Sequence, residues 1–127
     1  MTNNLFEEIR HEVERGLAEK NGIVPYVIAI DGMSGSGKTT LAERLHQEFP
    51  NSNLFHMDDY FLQPHQRTPK RSEEIGGNVD YERFKDEIIL HLGDSNGLYY
   101  HTYDCHTQTL SSKKHVSQKP LVIIEGA

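Results

Sequence analysis

The clearest chemistry in this chain lies in Gly32-Met33-Ser34-Gly35-Ser36-Gly37-Lys38-Thr39, which fits the phosphate-binding pattern G-x-x-x-x-G-K-[ST]. Glycines at that spacing let the backbone curl until several N–H groups converge on phosphate oxygens. Lys38 is then placed to reach the β- and γ-phosphates and the Thr39 hydroxyl to ligate Mg²⁺, with Gly32, Ser34, Gly35, Ser36, Gly37 and Thr40 completing the cradle. The ligand implied is a nucleoside triphosphate such as ATP. Roughly one chain of this length in a few hundred would match the bare pattern by accident, so its flanks decide.

A phosphate loop needs a strand to deliver it and a helix whose N-terminus adds its dipole and free N–H groups. Tyr26-Val27-Ile28-Ala29-Ile30 is a short, apolar, β-rich segment before the loop. After it, Thr40 to Phe49 carries Leu41, Ala42, Leu45 and Phe49 on one helical face, and Pro50 stops the helix. Upstream, Leu5, Ile9, Val13 and Leu17 recur every four residues among charges. The spacing predicts a surface helix over 4–20 in an N-terminal segment 1–22, opened by a capping-box pair, Asn4 and Glu7, and closed at Asn21-Gly22.

Three acids fall where strands should end. Leu54-Phe55-His56-Met57 reads as a second strand ending on Asp58-Asp59, and in an open parallel α/β sheet that edge is where ligands bind. Pro120 opens Leu121-Val122-Ile123-Ile124, a run apolar on both faces, as a central parallel strand requires. It ends at Glu125, positioned like the Walker-B carboxylate that holds or orients Mg²⁺.

The intervening chain supplies candidates for an acceptor. Leu62 to Val79 is polar, contains Pro64, Pro69 and Gly76-Gly77, and is too long for a plain connection. Its Arg67, Lys70 and Arg71 would suit an anionic group on a substrate, or are simply solvated. Asp80 opens a helix carrying Tyr81, Phe84, Ile88, Ile89 and Leu92, with Gly93 as its stop, and could serve only as its N-cap. Residues 98–119 read as a hairpin-like excursion, Leu98 to Tyr103 running out and Lys113 to Ser117 returning. His101, Cys105, His106 and His115 crowd there without any standard zinc-ligand spacing.

At 127 residues the chain has the length of one domain. Its 13 Lys and Arg are spread along the sequence against 19 Asp and Glu, a net charge of −6, which argues against a nucleic-acid surface and for a small-molecule partner. The single cysteine, Cys105, cannot form an internal disulfide, the first residues are not a signal peptide, and no apolar run is long enough to span a bilayer. The expectation is a soluble cytoplasmic protein without a membrane partner.

Taken together, Asp31 to Thr40, His56-Met57-Asp58-Asp59-Tyr60-Phe61, Asn78-Val79-Asp80, Tyr103-Asp104 and Ile124-Glu125-Gly126 resemble the uridine kinase family of P-loop kinases, over about residues 24 to 127. The resemblance implies a P-loop NTPase fold, α/β, with three α/β/α layers about a parallel sheet. It implies transfer of the γ-phosphoryl of ATP, with Mg²⁺, to the 5′-hydroxyl of a uridine- or cytidine-like nucleoside. By the same resemblance Asp58 receives the hydroxyl proton and is a further contact for the metal held by Thr39 and Glu125, and Asp80 binds the ribose hydroxyls. Tyr60 and Phe61 then line the nucleoside pocket, and Tyr103 packs near the base.

Two departures stand out. Where the family reads the pyrimidine with a histidine, this chain has Gln108, with His106 two residues earlier. Complete members also continue beyond the point matching Ala127, through an arginine-bearing lid and an adenine-holding segment, so the chain looks like the N-terminal part of a kinase. That leads to the expectation that Tyr26–Ile30 lies at an open sheet edge, so that the protein is weakly stable as a monomer and either self-associates there as a homo-oligomer or is rescued by restoring the missing segment. Two rival readings remain: a P-loop kinase for another small alcohol, and a nucleotide-binding module without transfer activity.

Overall fold

The computed structural model describes residues 3–20, 24–31, 37–73 and 79–126, with the side chains of Asn3, Asn4, Lys38 and Ser72 excepted. Gly32, Ser34, Gly35 and Ser36 of the loop, the helix stop at Asn21-Gly22, the Gly76-Gly77 pair and Asn78 lie outside the described residues. Contacts gather into two compact units, one of residues 1–55 with 119–125 and the other centred on 56–118.

In the first unit, helix α1 (Asn3–Lys20) precedes strand β1 (Tyr26–Ile30). The helix begins ahead of Asn4, so Asn4 is not its cap. Glu7 turns instead to the Arg10 guanidinium, 3.1 Å from Nε, in one of two Arg–Glu clusters along the solvent face. Helix α2 (Lys38–Glu48) follows the glycine loop, and strand β2 (Ser52–His56) follows α2. Strand β7 (Leu121–Glu125) lies between β1 and β2 and is buried at every residue. Its pairing with β1 is parallel, running in register from Tyr26 opposite Leu121 to Ile30 opposite Glu125.

Alternation along β7 puts Leu121 and Ile123 on one face, where they join Phe6 and Val13 of α1, Ala42 and Leu45 of α2, and Ile30 in one apolar core. Helix α1 comes close to β1 because Gly16 has no side chain: a Cβ there would lie 2.3 Å from the Tyr26 ring. Among the described strands β1 stands at one end of the sheet, with Val27 41% exposed.

The second unit is made of short pieces. A 3₁₀ turn over Met57–Tyr60, another over Pro64–Gln66 and the short helix α3 (Pro69–Ser72) occupy the stretch expected to be irregular. Helix α4 (Tyr81–Glu87) ends earlier than the apolar pattern suggests. Its C-cap is Ile88, at φ −106°, and a 3₁₀ turn over Ile89–His91 follows. Two successive β-branched residues, Ile88 and Ile89, crowd the preceding turn of a helix, which favours that break.

The hairpin-like excursion is present as an antiparallel pair, β3 (Leu98–Tyr100) with β6 (Lys114–Val116). A second, smaller pair, β4 (Tyr103–Asp104) with β5 (Thr109–Leu110), lies within it. Gly97 enters β3 at φ +77°, where a Cβ would meet the Val116 carbonyl oxygen at 2.2 Å, so only glycine fits. Among the described residues no helix is long and apolar enough to cross a membrane.

Candidate functional site

The phosphate side belongs to the first unit. Gly37 caps α2 in the left-handed region, φ +86°, a conformation that glycine takes without a Cβ penalty, and its carbonyl accepts from Leu41 N–H at 3.0 Å. Lys38 is the first residue of the helix, Thr39 the second and Thr40 the third. The Thr39 hydroxyl donates to Glu125 Oε1 at 2.7 Å across 86 residues of sequence. Register explains the meeting: Glu125 pairs with Ile30, the last residue of the strand that feeds the loop. Glu125 is 1% exposed and also has other interactions. A hydroxyl and a carboxylate oxygen are the hard donors Mg²⁺ prefers, so the residues present fit that ion.

The residues expected to meet an acceptor lie in the second unit. Asp58 is exposed and has no partner among the described residues, whereas Asp59 is half-buried. The Tyr100 phenol is pushed up, first by burial and then by the charge of Asp59. Two backbone contacts join this turn to the start of α4: Asp80 N–H donates to the Tyr60 carbonyl at 2.6 Å, and Phe61 bridges Val79. Asp58 and Asp80 are thus carried by one backbone framework.

Asp80 is 4% exposed and does cap α4, Oδ1 accepting from Arg83 N–H at 3.1 Å. Its Oδ2 accepts from Gln66 Nε2 at 2.9 Å, while Gln66 Oε1 accepts from Gln63 N–H, which fixes the amide's orientation.

The aromatic residues divide. Phe61 is half-buried. Tyr60 is 1% exposed: it meets the Phe84 ring edge to face at 5.2 Å, the Arg83 guanidinium lies 4.0 Å over it, and its hydroxyl donates to Glu87 Oε1 at 3.1 Å. It supports the framework from inside, and burial with the Glu87 charge pushes its phenol far above the ordinary range. Tyr103 is buried, with its hydroxyl accepting from Arg67 Nη2 at 2.9 Å.

Of the three cations that could have clamped an anion, Arg67 also donates to the Leu62 carbonyl, and Arg71 bonds Glu82 and the Val79 carbonyl, each at 2.7 Å. Two of the three are therefore engaged by internal acceptors. Gln108 stands in the exposed β4–β5 turn at φ 57°, and in that turn His106 N–H donates to Asp104 Oδ1. His101 contacts Glu87 and His115 contacts the Asn96 carbonyl. Among the described residues no group of three His, Cys, Asp or Glu could hold a metal.

Gln66, Arg83 and Glu87 hold this side together, and the reading of the sequence passed over them. A signal for two of them exists. Asp80, Arg83 and Glu87 stand at i, i+3 and i+7, a stripe of alternating charge on one helical face.

Comparison with known proteins places the chain among kinases. The family model of the NB-ARC domain matches residues 6–61, a span that includes the glycine motif. A uridine kinase of Geobacillus sp. (strain WCH70) is 30% identical over 111 residues, 83% of this chain and 53% of that protein. The solved structure of a possible uridine kinase from Bacillus stearothermophilus superposes with a TM-score of 0.66 at 30% identity, covering 94% of this chain and 71% of that one. The chain belongs to the uridine kinase family of P-loop kinases. A bifunctional alpha-galactosidase/sucrose kinase of Mediterraneibacter gnavus is 46% identical over 71 residues, 53% of this chain and 7% of that protein. Against the Geobacillus uridine kinase, this member of the family spans about half the relative's length.

Proposed function

We propose that the chain transfers the γ-phosphoryl group of ATP to the 5′-hydroxyl of a nucleoside of the uridine or cytidine type. The observation that carries this reading is the pairing of residues 60–61 with 79–80, because it sets an exposed acid, Asp58, and an oriented acid, Asp80, in one framework. A protein that only senses a nucleotide has no use for that combination.

Each group has a task. Asp58 receives the hydroxyl proton as the hydroxyl oxygen bonds the γ-phosphorus and the bond from that phosphorus to the bridging oxygen breaks, leaving ADP. Asp80 has one fixed donor on each oxygen, so further lone pairs remain for ribose hydroxyls. Phe61 flanks the nucleoside, Tyr103 stands near the base, and Tyr60 braces α4 from inside.

The loop amides of Gly32, Ser34, Gly35, Ser36 and Gly37, with Lys38 and Thr40, hold the phosphates. Thr39 and Glu125 would hold Mg²⁺, with Asp58 as a further ligand. When bound, the ion neutralises charge on the phosphate oxygens. The setting is cytoplasmic, and neither a nucleic acid nor a membrane is a partner.

The test is ADP formation from Mg·ATP with a panel of ribonucleosides, sugars and phosphorylated alcohols. Turnover with pyrimidine nucleosides that Asp58→Asn lowers by about 10²–10⁴-fold is the expected result. Preferred turnover of a sugar supports a second reading, a kinase for another small alcohol, which the 46% identity to the sucrose kinase favours. Nucleotide binding without transfer to any acceptor overturns both.

A further inference from the structure

We infer that Arg83 is a positioning residue for the acceptor-binding acid Asp80, an inference that rests on the nucleoside kinase reading above. Its guanidinium is largely enclosed, with the side chain 12% exposed. Nη1 donates to the His101 carbonyl at 2.7 Å and to Glu87 Oε1 at 3.3 Å, Nη2 reaches the Asp59 carbonyl at 3.5 Å, and the plane lies over Tyr60. Nε is different. Among the described residues it is buried with no hydrogen-bond partner, and Asp80 Oδ2 stands 3.6 Å away.

An unpaired buried N–H is costly, and native structures leave few of them. Here the unmet donor faces the carboxylate oxygen that Gln66 holds from another direction at 2.9 Å. That oxygen therefore has two anchors, one neutral amide and one cation. A ribose hydroxyl that takes Oδ2 from Gln66 leaves the carboxylate held by Arg83, and a shift of a few tenths of an ångström brings Nε within hydrogen-bond distance. The same guanidinium holds the carbonyl of Asp59, the neighbour of Asp58. Arg83 thus sets the ribose-binding acid in register with the segment that carries the base.

The role predicts coupling to the vicinal diol of the substrate and to nothing else. Dissociation constants for uridine and for 2′,3′-dideoxyuridine are measured on the wild type, Arg83→Met, Arg83→Lys, Asp80→Asn and the Arg83→Met/Asp80→Asn double variant. Arg83→Met should weaken uridine binding by about tenfold or more, leave the dideoxy analogue and Mg·ATP unchanged, and add little in the Asp80→Asn background. Arg83→Lys, which keeps a cation in the same enclosure and so guards against loss of the fold, should be intermediate. Equal losses for both ligands, or additive effects in the double variant, mean that Arg83 only supports the fold, and they overturn the inference while the kinase reading stands. A wild type that binds no ribonucleoside overturns the reading and the inference together.

Discussion

On the phosphate side the chemistry is held by backbone and apolar packing: a glycine at positive φ, a helix N-terminus, and a buried strand that carries Glu125 to Thr39. On the acceptor side the elements are short, and long polar side chains tie them together. Gln66 reaches Asp80, Arg67 reaches Tyr103, and Glu87 collects Tyr60, Arg83 and the backbone of His101. A triphosphate is the same anion for every kinase, and main-chain N–H groups with one lysine make a grip that need not change. An acceptor differs from one kinase to the next, and under the proposed function its side rests on groups that substitution can change without disturbing the sheet.

The sharpest way to separate the two regions is to disable one and watch the other. Asp58→Asn should lower turnover by about 10²–10⁴-fold while nucleotide affinity, read by titration with Mg·ATP, stays near that of the wild type. Loss on Asp59→Asn in place of Asp58→Asn would move the base to the half-buried neighbour. The converse variant, Lys38→Ala, removes a charge-assisted contact with the phosphates and should weaken triphosphate binding by roughly 10–100-fold, with nucleoside binding unaffected. Unchanged triphosphate affinity in a folded Lys38→Ala protein would break the assignment of the loop.

The same contrast explains what the sequence disclosed. Strand Tyr26–Ile30 has the limits its apolar run suggested, and Glu125 closes a fully buried strand, because such strands must be apolar on both faces. The hairpin-like excursion expected from β-forming residues after the 94–97 turn is met by the antiparallel pair of β3 with β6. The acceptor side was less legible. Tyr60 looked like a wall of the pocket, and its burial depends on Phe84, Arg83 and Glu87, all more than twenty residues away. Local pattern has no means of expressing such bonds. The end of α4 at Glu87 was hidden likewise, since Ile89 and Leu90 continue the apolar pattern while lying exposed.

Alkaline pH should strike the two regions unequally. The Tyr60 phenol is raised in the folded state, so its contribution is fully present below the unfolded value near 10 and is lost as pH rises above it. The loss is about 1.4 kcal/mol per pH unit from Tyr60 alone, and Tyr100, also raised, adds to it. Hydrogen exchange at pH 10 to 11 should show the amides of α4 and β3 losing protection before those of α1 and β7. Tyr60→Phe should remove most of the slope, and an unchanged slope in that variant would show that another group carries it.

Adding a methyl group tests the packing of the first unit. Gly16→Ala gains about 1 kcal/mol of helix propensity, but its Cβ falls 2.3 Å from the Tyr26 ring. Overpacking of that kind costs roughly 1–3 kcal/mol, so the net effect should be a loss of about 1 kcal/mol in denaturant melts. A stabilised Gly16→Ala protein would mean that Tyr26 swings away freely and that the contact does not hold α1 on the sheet.

The opposite operation, deleting a side chain, should favour the second unit. Gln108 is held at φ 57°, where an L-residue with a Cβ loses about 1 kcal/mol or more relative to glycine, and the turn that imposes this is closed by Gln108 N–H on the Asp104 carbonyl at 2.7 Å. Gln108→Gly relieves that strain but enlarges the freedom of the unfolded chain, which returns part of the gain. The net should be a stabilisation of about 0.5 kcal/mol, a rise of a degree or two in the melting temperature. A side chain kept at a strained position invites the question of what it does there. If Gln108 takes the place of the pyrimidine-reading histidine, the more stable glycine variant should discriminate less between pyrimidine and purine nucleosides while its affinity for Mg·ATP is unchanged. A stabilised variant with undiminished discrimination would assign base recognition to His106 or to a residue outside this turn.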